Sequence, residues 1–98
     1  MIEVQQTEHF QSWLENLQDV RAIEKIAQRI VRLQSGLMGD VAPIGEGVSE
    51  LRIHHGPGYR VYFVQRGKTL IILLCGGNKS TQGRDTHKAK RLAKDLKV

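Results

Sequence analysis

Residues Thr69 to Cys75, TLIILLC, form an unbroken apolar run that stops at Gly76-Gly77. The run is too short to span a bilayer and too apolar for a strand with one face in water. It therefore predicts a central β-strand covered on both sides, and the rest of the chain has to supply the cover. Upstream, Val48 to His55 alternates: Leu51 and Ile53 face one way, while Glu50, Arg52 and His54 face the other, as a strand with one wet face requires. Gly56-Pro57-Gly58 turns the chain into Tyr59 to Gln65, rich in aromatic and β-branched residues, and Arg66-Gly67-Lys68 is a tight hairpin into the apolar run.

The first third has a different period. After a short strand at Met1 to Gln6, Thr7 caps a helix with Phe10, Trp13, Leu14 and Leu17 at helical spacing. Asp19 caps a second helix, with Val20, Ile23, Ala27, Ile30 and Leu33 on one face and Gly36 as its stop. Leu37 to Gly47, with its glycines and Pro43, reads as loop. Ser80 or Thr81 caps a last helix that turns Ala89, Leu92, Ala93 and Leu96 inward, with a Lys/Arg-rich outer face. The expectation is an α+β domain over residues 1–98, in the order β-α-α-β-β-β-α, with a small, mostly antiparallel sheet, two N-terminal helices and one C-terminal helix.

Charge is segregated along this order. Residues 1–50 hold four Lys/Arg against eight Asp/Glu, a balance of −4, and residues 51–98 hold eleven against two, a balance of +9. A basic half of this kind fits a polyanion or an acidic protein. The single cysteine, Cys75, lies inside the apolar run as a small buried hydrophobe and leaves no internal disulfide. With no membrane span and no signal pattern, the chain reads as cytosolic.

Lys79 and Ser80 after the apolar run have the look of a phosphate-binding loop, but G-x-x-x-x-G-K-[ST] is not met: Asn78 replaces the last glycine, and leucines occupy the region of the first. His54 and His55 are adjacent in an expected strand and so point apart, which excludes a shared metal. No cofactor or small-molecule ligand is expected.

The stretches ELRIHHGPGYRVYF and LLCGGNKSTQGRD, within this element order, resemble the RelE/ParE superfamily of bacterial toxins, and most closely the HigB-like addiction module killer proteins. The resemblance covers nearly the whole chain. It implies the toxin of a type II toxin–antitoxin system: a ribosome-dependent, metal-independent mRNA endonuclease, with a cognate antitoxin, the ribosome and mRNA as partners. It also implies catalytic roles for Arg60, in the GYR position, and for Lys79, at the end of the last strand. Arg52 and His54 match the paired basic positions of the preceding strand. Arg84, His87, Lys88, Lys90, Arg91 and Lys94 are expected to face RNA or the ribosome, with Lys97 on the same helix surface. Some members carry Lys at the paired positions and a Tyr in the last segment, whereas this chain has Arg52 and His54 and no Tyr after Tyr62. Two alternatives stay open: a ParE-like inhibitor of DNA gyrase, and a nucleic-acid-binding module without catalysis.

Overall fold

The computed structural model describes residues 1–96, so Lys97 lies outside the described residues. The elements are β1 (Glu3–Gln6), α1 (Glu8–Glu15), α2 (Val20–Gln34), β2 (Val41–Gly45), β3 (Val48–Ile53), β4 (Tyr59–Arg66), β5 (Leu70–Gly77), a single 3₁₀ turn (Lys79–Thr81) and α3 (Gln82–Asp95). The five strands form one sheet in the order β1-β5-β4-β3-β2, with β1 parallel to β5 and every other pair antiparallel. The α+β class and the predicted element order hold, with one strand added.

That strand, β2, corrects the reading of Leu37–Gly47 as loop. Pro43 and the surrounding glycines are poor strand residues, but β2 is the sheet's outer edge, where a missing N–H leaves no interior ladder broken. The strand expected to run to His55 ends at Ile53.

Two apolar layers cover the apolar run, as its composition requires. On one face, Phe10 of α1 and Ile26 and Leu33 of α2 pack with Leu51, Ile53, Val61, Phe63, Ile71 and Leu73. On the other, Ala89 and Ala93 of α3 pack with Val48, Tyr62, Val64, Ile72, Leu74 and Cys75. A bulge makes Leu74 the extra residue of β5, because Tyr62 pairs with Cys75 and Phe63 with Leu73. Beyond it, Gly77 falls on the α3 face and Gly76 on the α1 face.

The helix caps follow from short polar side chains. Thr7 Oγ1 accepts from the Phe10 N–H at 3.1 Å, and Asp19 Oδ1 accepts from the Ala22 N–H at 3.1 Å. The inward face of α2 is rotated from the expected one: Ala22 and Ile26 are buried, whereas Val20 and Ala27 are exposed. Before α3, the predicted cap shifts. Asn78 caps the 3₁₀ turn through Ser80 N–H at 2.9 Å and through Thr81, and Thr81 itself makes no side-chain cap to α3. No described helix is long and apolar enough to cross a membrane.

Candidate functional site

Antiparallel pairing sets Arg52 directly opposite Arg60, and Glu50 opposite Tyr62, all on the α3 face of the sheet. The Glu50 side chain is 1% exposed, and its Oε1 accepts from Arg52 Nε at 3.0 Å and from Arg60 Nε at 3.2 Å. Its other oxygen accepts from Gln82 Nε2 of α3 at 3.2 Å. The strand face read as wet from alternation is thus roofed by the start of α3. Glu50 is a buried carboxyl shared by two guanidinium groups, an arrangement in which the buried charges are paired and hydrogen-bonded. Arg60 is 14% exposed and Arg52 40%, so Arg52 is the fork that meets solvent. Among the described residues, Arg60 Nη1 has no hydrogen-bond partner.

Asp40, in the chain leading to β2, extends the cluster. It lies 3.7 Å from Arg52 Nη1 and hydrogen-bonds His54 Nε2. The His54 contact, followed by the charge of Arg52, holds the Asp40 carboxyl below its usual range. The Glu50 hydrogen bond pushes the Arg52 guanidinium up. Arg29 of α2 fixes this end of the molecule by donating to the Arg52 carbonyl at 2.6 Å and to the Asp40 carbonyl at 3.3 Å. Burial pushes Arg29 down from the ordinary arginine value. Tyr62, beneath the cluster, is fully buried, and burial raises its phenol to about 12.

The other expected site residues separate into groups. Lys79 lies in the 3₁₀ turn after β5, where its N–H donates to the Pro57 carbonyl at 3.3 Å across the β3–β4 turn, and it forms no ion pair among the described residues. His55 points away from His54 to Asp19, at 3.0 Å, so the two histidines serve different carboxylates. Lys90 and Lys94 reach Glu46 in the β2–β3 turn, at 3.7 and 3.3 Å. Arg84, His87, Lys88 and Arg91 instead line a groove between α3 and α1, together with His9 and Trp13. His87 and Arg91 also border the Glu46 end with Lys90 and Lys94, so the basic surface of α3 is continuous from the groove to the β2–β3 turn.

The residues matched by the family described as "Phage derived protein Gp49-like (DUF891)" run from 12 to 97. The chain belongs to this Gp49-like family. The family is toxin-like and related to RelE and HigB. An uncharacterized protein of Haemophilus influenzae (strain Rd) is 50% identical over 95 residues, aligning 97% of this chain and 96% of that protein. In this Gp49-like chain the sequence reasoning missed Glu50, Asp40, Gln82 and Arg29. Glu50 was legible in principle: it shares a strand face with Arg52 at i−2, and a carboxylate between two basic strand positions is a pairing signal. Asp40, Gln82 and Arg29 are brought in only by tertiary contacts.

Proposed function

We propose that this chain, as one RelE/ParE-like domain over residues 1–98, is the toxin of a type II toxin–antitoxin system. It cleaves mRNA on the ribosome without a metal, and it is held inactive by an antitoxin. The observation that carries the reading is the convergence of the Arg52 and Arg60 forks beside a carboxylate-held histidine, His54, at one end of the sheet.

RNA can be cut by its own 2′-hydroxyl. The 2′-oxygen bonds to phosphorus, the P–O5′ bond breaks, and a cyclic phosphate and a 5′-hydroxyl result. The 2′-proton must leave, the 5′-oxygen must gain one, and negative charge grows on the phosphoryl oxygens in between. Arginine forks match those oxygens in two-pronged geometry, and Lys79 adds a point charge. Histidine is the side chain suited to moving the proton near neutral pH, and Asp40 orients the ring of His54. The basic surfaces of α3, with Arg84, His87, Lys88, Lys90, Arg91 and Lys94, supply affinity for the ribosome and its RNA.

The test is expression without a partner protein, followed by primer extension on translated mRNA. Growth arrest with codon-proximal cuts, both lost in Arg60→Ala, is the expected result. Growth arrest with DNA-damage signalling and intact mRNA would replace this reading with gyrase inhibition. Unimpaired growth with abundant folded protein would remove the toxin reading altogether.

A further inference from the structure

The groove between α1 and α3 has a chemistry distinct from the Arg52–Arg60 cluster. At the cluster, Glu50 and Asp40 offset the two arginines. In the groove, the one lining carboxylate is Asp85, which is buried, hydrogen-bonded to Thr81 and 4.0 Å from Arg84 Nε, and it stands against three cations, Arg84, Lys88 and Arg91. The groove encloses about 850 Å³, enough for a nucleotide. Its aromatic wall is Trp13, which is half-buried against Phe10 and Tyr59, with ring centroids 5.8 and 6.3 Å away. Gly76 forms the floor. A Cβ there would come within 2.3–2.5 Å of three Trp13 ring carbons, so the indole lies directly on bare backbone. That close approach fixes the ring at the edge of β5, beyond the last residue of β5 that pairs with β1. The first turn of α3 joins the two places, since Gln82 reaches Glu50 while Gly83 and Arg84 line the groove.

We propose that this groove is a single-stranded RNA subsite, with one base stacked on Trp13 and the adjoining phosphates on Arg84, Lys88 and Arg91. Aromatic platforms flanked by cations are how proteins hold single strands without reading sequence. The ligand class rests on the RNA reading above, but binding here requires no cleavage. The groove supplies affinity and direction to the strand, and the balanced cluster at the sheet end supplies the chemistry.

Trp13 is the only tryptophan in the chain, so its fluorescence reports this groove alone. The probe is a fluorescently labelled 2′-O-methyl oligouridine, which lacks the attacking hydroxyl. It should quench Trp13 on titration, and Arg91→Ala should weaken binding and lower the salt slope by about 0.7. Trp13→Leu, followed by anisotropy of the labelled probe, should weaken binding about 5- to 150-fold. An abasic strand of equal charge should bind more weakly and leave the fluorescence unchanged. Binding without quenching, or equal affinity for the abasic strand, would overturn the subsite. Because Trp13→Leu also touches the core, the wild-type quenching and the exposed Arg91 variant decide the matter if that variant fails to fold. Lys68→Ala, in the exposed β4–β5 turn, should bind the probe normally. A strand that binds here while wild-type protein leaves ribosomal mRNA intact would sustain the subsite and refute the endonuclease.

Discussion

Arg60 combines two jobs that pull its substitutions in different directions. Its Nε neutralises Glu50 within the sheet, and its guanidinium charge is what the proposed chemistry would direct at a phosphoryl group. Arg60→Ala should lower single-turnover cleavage on programmed ribosomes about 100- to 1,000-fold, the cost of losing one preorganised donor to developing negative charge. Normal cleavage by bound Arg60→Ala would place the chemistry elsewhere. Glu50→Ala should act on stability instead. It leaves Arg60 buried with no counter-charge, and breaking a buried pair from one side costs about 3–5 kcal/mol. Urea denaturation of Glu50→Ala, set beside Glu50→Met, measures this. If removing the carboxyl is neutral in both, the cluster does not need it. At His54, Gln keeps a polar side chain of similar reach but cannot carry a proton between substrate atoms, so His54→Gln should slow single-turnover cleavage. An unchanged rate would leave His54 as a residue held by Asp40 at the end of β3, without a part in the chemistry.

The elements differ in how openly the sequence announced them, and the difference follows the range of the forces involved. Both N-terminal caps were legible because Thr7 and Asp19 act on N–H groups three residues away. β5 was legible because nothing but burial on both faces suits LIILLC. β2 was not, since its local composition argues against a strand and only its position at the sheet edge tolerates Pro43. Burial of Glu50 was invisible for a similar reason: alternation assigns it a face, but the roof is α3, more than thirty residues on. At the site, Arg52 and Arg60 lie on strands joined by one short turn and meet directly across it, whereas Asp40 meets His54 only through the fold. Thr7 shows local and long-range forces meeting in one hydroxyl. It caps α1 and also donates to the carbonyl of the bulged Leu74 at 2.5 Å. Thr7→Ala should therefore destabilise by about 1–2 kcal/mol, at the upper end for a cap. Thr7→Ser should recover most of that loss. Equal losses in the two variants would assign the effect to the methyl group.

For the molecule as a whole, stability should be lost at both ends of the pH scale, for different reasons. The Asp19 carboxyl is lowered first by the Ala22 N–H and then by His55, and that of Asp40 by His54. Groups lowered on folding contribute fully above their unfolded value, 3.8 here, and lose that contribution as pH falls through the folded one. The acid limb should begin near pH 4 and be shallower in Asp19→Asn. At the alkaline end the sign is reversed. Burial raises Cys75 from 9.0 to about 12, and Tyr62 from 10.0 to about 12. A raised group stabilises fully below its unfolded value and loses that stabilisation as pH climbs through the folded one. The alkaline limb should therefore begin near pH 9, with Cys75, and steepen above pH 10, with Tyr62. Thiolate is the reactive form of cysteine, so the same burial should keep native Cys75 inert to a disulfide reagent between pH 7 and 9. Labelling should then proceed only through opening of the layer in which Cys75 packs against α3, and its rate should follow global unfolding with added urea. Cys75→Ala should delay the alkaline loss to about pH 10, the unfolded value of Tyr62, while lowering stability at neutral pH through the space it leaves beside Ala89. Rapid labelling of the native protein at pH 7, independent of urea, would show that α3 lifts from the sheet separately from the rest of the fold. The Glu50–Gln82 contact would open with it, and the roof over the two arginines would be a moving part.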